Sequence, residues 1–167
     1  EERSPEKPRL PLGAEPLENR ILFAANPFNC EDCLATGIYR VNFDGMDLIK
    51  LPLQGFYPAW SPDFTRIAYT RGGEVFVANS DGEAETQLTF AYRAFKSVSW
   101  SPDGDYLVGD CWPYRQSDVC LIDLATGIIV NLAETIVYDW SLLFPYWSPE
   151  GDIIWGTSLL DLDGQVT

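Results

Sequence analysis

Apolar and polar residues alternate along most of this chain in short runs, each ended by turn-forming residues. The clearest set begins at Phe56 and passes into Trp60. It continues through Arg66-Ile67-Ala68-Tyr69-Thr70, Glu74-Val75-Phe76-Val77-Ala78 and Thr86-Gln87-Leu88-Thr89. A period of two, rich in β-branched and aromatic residues, predicts strands. Arg71-Gly72-Gly73 and Ser80-Asp81-Gly82-Glu83 separate them as turns. The plan recurs with runs at 97–100, 106–108, 119–122 and 128–132. An earlier unit supplies runs at 21–23, 38–41 and 48–51 without an evident opening strand. A last unit supplies 146–147, 153–155 and 160–166. Helical periodicity finds no room, because Thr36-Gly37, Gly72-Gly73 and Thr126-Gly127 interrupt too often.

One phrase ties the units together. It reads Trp60-Ser61-Pro62-Asp63-Phe64, then Trp100-Ser101-Pro102-Asp103-Gly104, then Trp147-Ser148-Pro149-Glu150-Gly151. Recurrence after 40 residues, from 60 to 100, and after 47, from 100 to 147, marks a repeat architecture. Four-stranded units of about this length are propeller blades. We therefore expect an all-β fold: a β-propeller of about four four-stranded blade modules, at 20–54, 55–91, 92–134 and 135–167. The first and last are expected to be atypical or incomplete. Residues 1–19, with four prolines and no aromatic or β-branched residue, read as an extended tail.

The phrase has a local logic. Pro presets the second position of a type I turn, Ser precedes it, and Gly tolerates the exit geometry. The Trp is large enough to fill the gap between adjacent twisted sheets. The competing reading sets it on one face as an exposed binding platform.

Charge narrows the partners. Lys and Arg number 11 against 25 Asp and Glu, a formal net charge of −14, and no basic residue follows Arg115. Such a chain repels phosphate backbones, so nucleic acid is not expected as a partner. A basic protein, a cation or an extracellular setting suits it better. The absence of His removes Ser-His-Asp and Cys-His catalysis and His-ligated zinc. No apolar stretch reaches the roughly 18 residues of a membrane-spanning helix. The start at Glu1-Glu2-Arg3 rather than Met fits a processed N-terminus or a piece of a longer chain.

Trp-Ser-Pro-Asp-Gly, followed by Ile67-Ala68-Tyr69, Val75-Phe76-Val77-Ala78-Asn79, Asp81-Gly82 and Gln87-Leu88-Thr89, resembles the TolB-type, WD40-like β-propeller repeat. The resemblance covers residues 20–167 and is strongest in the second and third units. It departs from the pattern at Phe64, where Gly is usual, and at the missing opening phrase of the first unit. The same repeat occurs in the propellers of prolyl-oligopeptidase-like hydrolases.

Four cysteines are the main candidate chemistry. Cys111 and Cys120 bracket the hairpin between the middle strands of the third unit, and Cys30 and Cys33 lie in the equivalent loop of the first. Folding the third hairpin symmetrically sets Cys111 directly opposite Cys120, about 4.5 Å apart at Cα, within disulfide range. Two local disulfides, and with them an extracytoplasmic location (periplasmic, cell-surface or secreted), are expected. A four-Cys zinc site, a redox pair and free thiols remain open alternatives. Asp161-Leu162-Asp163-Gly164 begins like a calcium loop but lacks the distal ligands, so a turn is expected there.

No nucleophile elbow, phosphate loop or paired-carboxylate signature is legible, so no catalytic residue, metal or cofactor is expected. Aromatic and apolar loop residues are the candidate partner contacts: Trp112 and Tyr114 at a hairpin tip, and Trp140, Leu142 and Phe144 in an insertion before the last phrase. Each could equally cover its own loop. The functional expectation is a non-catalytic protein-interaction or assembly module that binds protein partners or other copies of itself through exposed blade edges, aromatic loops and the N-terminal tail. The alternatives are the propeller of a prolyl-oligopeptidase-like enzyme and, more weakly, a carbohydrate-processing propeller.

Overall fold

Among the described residues the apolar runs become strands, and the turn signals between them become turns. The computed structural model describes residues 20–25, 37–90, 94–112, 118–132, 144–155 and 158–160. The strands are β1 (Arg20–Ala25), β2 (Gly37–Asn42), β3 (Ile49–Lys50), β4 (Phe56–Trp60), β5 (Arg66–Arg71), β6 (Glu74–Asn79) and β7 (Thr86–Gln87). They continue as β8 (Ala94–Trp100), β9 (Tyr106–Trp112), β10 (Asp118–Asp123), β11 (Ile129–Asn131), β12 (Tyr146–Trp147), β13 (Ile153–Trp155) and β14 (Ser158–Leu160). No helix occurs among the described residues.

They pair as four antiparallel meanders: β1-β2-β3, β4-β5-β6-β7, β8-β9-β10-β11 and β12-β13-β14. Blades 2 and 3 have four strands; blades 1 and 4 have three among the described residues. Blade 1 shows no opening strand among the described residues. Arg20 of β1 faces Asn42 as Arg66 of β5 faces Asn79, so β1 is the counterpart of a second strand. In blade 4 the third strand is Ser158–Leu160, opening earlier than the run 160–166 read from the sequence; residues 161–167, like the tail 1–19, lie outside the described residues.

Alternation sorts side chains onto the two faces of each blade. Ile67, Tyr69, Phe76 and Ala78 of blade 2 bury against Ile38, Leu51 and Leu53 of blade 1. The other face of blade 2, with Ala68 and Val75, packs on Phe95, Val98, Trp100, Leu107, Cys111, Cys120 and Ile122 of blade 3. Val108 and Val119 of blade 3 meet Ile153 and Trp147 of blade 4. Within blade 2, the Tyr69 hydroxyl donates to Glu85, which also accepts from Arg71 at 2.7 and 2.9 Å.

The Trp of the phrase couples neighbouring blades through its polar edge as well as its bulk. Trp60 Nε1–H donates to the carbonyl of Arg20 in blade 1 at 3.2 Å, and Trp100 Nε1–H donates to the carbonyl of Ala59 in blade 2 at 3.1 Å. Trp100 is buried, and the Arg66 guanidinium from blade 2 lies 4.6 Å from its ring centroid. Trp147 packs at the equivalent place, but its Nε1 is buried without a partner among the described residues.

The turn after each Trp follows its sequence closely. Phe64 N–H and Gly104 N–H bond back to the carbonyls of Ser61 and Ser101 at 2.9 and 3.0 Å, closing type I-like turns. Each Ser then takes a second task. Its hydroxyl reaches the Asp two residues on, at 2.6 Å in both turns, and accepts the N–H of Arg66 or Tyr106 at 2.9 Å. The fourth residue is left-handed, with φ of 79° at Gly104, 97° at Gly151 and 57° at Phe64. Phe64 tolerates that conformation, which costs a non-Gly residue on the order of 1 kcal/mol. Its ring lies 6.2 Å from that of Trp60. The third turn is one residue tighter: Ser148 pairs with Asp152 at 2.7 Å, where Ser61 pairs with Arg66.

Substituting Trp100 by Phe should destabilise the chain by about 2–3 kcal/mol, because it removes ring volume and takes the donor from a part-buried carbonyl. Substituting Trp147 by Phe should cost about 1 kcal/mol less, since no carbonyl loses a donor there. Urea unfolding followed by fluorescence compares the two. The Ser61 hydroxyl, then the Thr65 N–H and hydroxyl, hold the Asp63 carboxyl down at about 2. The Ser101 hydroxyl and Asp105 N–H lower Asp103 in the same sense. A folded value below the unfolded one of about 3.9 means stability present above pH 4 and lost as pH falls towards 2. The urea midpoint should drop across that window, and an Asp63→Asn, Asp103→Asn double variant should flatten the drop.

Candidate interaction surface at one end of the blades

Strand direction divides the connections between two ends. The Ser-Pro turns leave from one end, together with the Asp-Gly turns. There Gly45 and Gly82 close back on Asn42 and Asn79 at 2.8 and 2.9 Å, and Asp44 and Asp81 cap the following N–H groups. From the other end depart the hairpin Gly72-Gly73 and the connections 26–36 and 113–117 between middle strands. The opening strands β4, β8 and β12 begin at this second end too. The two cysteine loops and both aromatic loops singled out in the sequence are therefore attached at the same end.

Here the opening strands bring a further set of residues together. Counting three back from the Trp of each phrase gives Tyr57, Ser97 and Phe144. Successive opening strands lie against one another. Tyr57 and Phe144 meet across blade 3, with ring centroids 5.8 Å apart and a tilt of 44°. Both remain exposed, at 49% and 43%. Ser97, between them in the repeat, is buried, and its Oγ has no partner among the described residues. Phe56 and Tyr146 beside them are exposed as well.

The backbone arranges this meeting. In β4 and again in β8 the register slips by one residue, between Phe56 and Ala59 and between Phe95 and Val98. Such a bulge re-aims side chains. At Tyr57 the chain takes a φ of 51°, unusual for an aromatic residue and found where surrounding structure over-determines it. Phe144 was identifiable as an apolar insertion residue. Tyr57 was not; only alignment on the Trp, three positions downstream, brings the two into the same column.

The third-unit cysteines form a disulfide with Cα atoms 5.8 Å apart. The register differs from the symmetric hairpin expected: Cys111 lies opposite Asp118, and Cys120 opposite Gly109, so the bridge runs diagonally. Pairing of Leu107 with Ile122 and Val108 with Leu121 determines the register, and the hairpin loop absorbs the difference. A glycine at 109 allows the close approach: a Cβ there would sit 2.7 Å from the Ser97 carbonyl and 2.9 Å from the Phe95 ring. The disulfide is fully buried beside Phe95 and Val75, on the side of blade 3 turned to blade 2. Asp110, next in the strand and fully buried, points to the opposite side with Val108.

Of the other candidates, Trp112 ends β9, whereas Cys30, Cys33, Tyr114, Trp140 and Leu142 lie outside the described residues. Among the described residues no three His, Cys, Asp or Glu side chains gather as a metal site, and no helix is long and apolar enough to cross a membrane. A surface pocket of about 580 Å³ opens elsewhere, lined by Arg20, Arg40, Asn42, Asp47, Leu48 and Ile49 of blade 1.

No family model and no curated protein matches the chain. Solved structures do. TolB from Acinetobacter baumannii superposes with a TM-score of 0.72 at 19% identity, covering 90% of this chain and 41% of its own. A protein assigned as TolB from Agrobacterium tumefaciens gives 0.65 at 21% identity, covering 79% and 55%. An oligogalacturonate lyase in complex with manganese gives 0.60 at 15% identity, covering 79% and 45%. The chain thus has the TolB-type β-propeller fold and spans about half the length of these neighbours. One of them is an enzyme, so the fold alone does not decide the function.

Breaking the Cys111–Cys120 bridge by Ser substitution of both residues should cost about 2–3 kcal/mol, the value for a loop of some ten residues. Thermal unfolding of the double variant against the oxidised parent measures it. Thiol titration of the unreduced, unfolded parent should find no reactive cysteine if Cys30 and Cys33 are bridged as the sequence leads one to expect.

Proposed function

We propose that this chain is a non-catalytic, extracytoplasmic protein-interaction module, which engages its partners with the end of the blades that bears the Tyr57–Phe144 pair. That pair is the observation that supports the reading most directly. Two large aromatic rings, one on opening strand β4 and the other two residues before opening strand β12, are held in contact, yet each leaves nearly half its surface to solvent. Rigid aromatic groups of this kind lose little entropy on contact and dominate binding at protein interfaces. The strongly acidic composition favours partners with a basic face. The buried disulfide supports an oxidising, extracytoplasmic compartment.

Affinity capture from the extracytoplasmic fraction of producing cells tests the reading. A protein partner should be retained by the parent chain and reduced at least tenfold by the Tyr57→Ala, Phe144→Ala double variant, which should keep its melting cooperativity. Equal retention by both, or turnover of peptide or oligogalacturonate substrates by the purified chain, would overturn it.

A further inference from the structure

Blade 1 departs from blades 2 and 3 at two positions, and both departures open into one cavity. Arg40 is the first. It pairs with Leu22 as Val77 pairs with Ala68 and Leu121 with Val108. Val77 and Leu121 pack in the junctions with the blades that follow. In that apolar column blade 1 sets a half-buried guanidinium, whose Nη1 donates to the Ser80 carbonyl of blade 2 at 3.4 Å.

Arg20 is the second. Its counterpart Arg66 is engaged twice: the guanidinium lies 4.6 Å from the Trp100 ring centroid and donates to the Gly104 carbonyl at 3.1 Å. The equivalent partners for Arg20 are Trp60 and Phe64. There a Phe ring replaces the bare glycine and stands 6.2 Å from the Trp60 ring. Among the described residues the Arg20 guanidinium makes neither of the contacts that hold Arg66.

Both guanidiniums line the pocket of about 580 Å³ together with Asn42 and Asp47, and Leu48 and Ile49 give it an apolar side. Arg20 faces Asn42 across the strands, and Arg40 faces Ile49. All four share the face of Leu22 and Ile38, which turns towards blade 2. Neither arginine has an ion pair among the described residues. Burial, then the Arg20 charge, lowers the Arg40 pKa, and Asp81 acts weakly the other way. The Asp47 carboxylate is itself engaged, accepting from Asn42 Nδ2 at 2.9 Å. Two like charges are thus held side by side without a bound counter-charge, in a chain whose 25 acids outnumber its 11 bases.

A cavity of this size suits a small organic molecule, and paired guanidiniums match the oxygens of carboxylate or phosphate. The net charge of −14 opposes the approach of an anion from afar. Screening over about 8 Å at physiological salt leaves the nearest charges in control at contact. We propose that Arg20 and Arg40 bind the oxyanion group, carboxylate or phosphate, of a small molecule whose apolar body lies on Leu48 and Ile49. The pocket sits at the end of the blades that carries the Asp-Gly turns, away from Tyr57 and Phe144, and does not depend on the interaction-module reading.

Isothermal titration of the oxidised chain with benzoate, phenyl phosphate and uncharged benzyl alcohol provides the test. Benzoate or phenyl phosphate should bind at one site and raise the melting temperature, and the tighter of the two identifies the anion. Benzyl alcohol should not bind. Arg20→Gln and Arg40→Gln should each weaken the anion at least tenfold. Without ligand both variants should melt at or above the parental temperature, because two facing like charges are gone. Arg66→Gln is the control: it should melt a few degrees lower and keep the parental affinity for the anion. No saturable binding of either anion up to about 10 mM overturns the proposal. Benzyl alcohol binding as well as benzoate, or parental affinity in both arginine variants, overturns it too. So does an unliganded Arg40→Gln that melts well below the parent, which makes that arginine a strut to Ser80 rather than a ligand contact.

Discussion

The hydrogen bond from an indole N–H to a main-chain carbonyl of the preceding blade holds the rest of this architecture in place. Antiparallel sheets can slide or splay over one another when only apolar side chains lie between them. A bond from Trp60 to Arg20, and another from Trp100 to Ala59, fixes both height and angle. The turn that follows starts from that fixed point. Its Ser and Asp, locked by short hydrogen bonds, send the next strand back along the first at a set register.

Because each blade touches only its neighbours, stability is expected to accumulate blade by blade, as in other repeat arrays. The three buried clusters follow that logic, one for each blade junction. The junctions are unlike in chemistry. The first is aromatic, through Tyr69 and Phe76; the second holds the disulfide; the third is small and includes a Trp whose Nε1 has no described partner.

Much of the fold was legible in the sequence because its signals are local. Pro62, Gly82 and Gly104 specify dihedrals at their own positions, and alternation about Ala68 or Val75 specifies a face. The phrase at Trp60, Trp100 and Trp147 then sets the repeat. What escaped depends on distant partners. Nothing near Tyr57 announces that a bulge and a positive φ will aim it at Phe144, which is 87 positions away in the chain. The diagonal disulfide was misplaced for a related reason. Hairpin symmetry about Trp112 and Val119 is a local guess, but Leu107 and Ile122, farther down the strands, decide the register. Phe64 was visible as a departure from Gly, though its ring contact with Trp60 was not.

The indole bonds also have a direction in time. Trp60 reaches back 40 residues and Trp100 reaches back 41, and neither acceptor lies later in the chain. A ribosome, or an export channel, delivers residues in that same order. When a new blade emerges, the carbonyl that will receive its Trp is already out and already in a strand. Each indole therefore closes on chain already delivered, and the only face a new blade leaves open, as Ala68 and Val75 do in blade 2, is the one the next blade covers as it is threaded out.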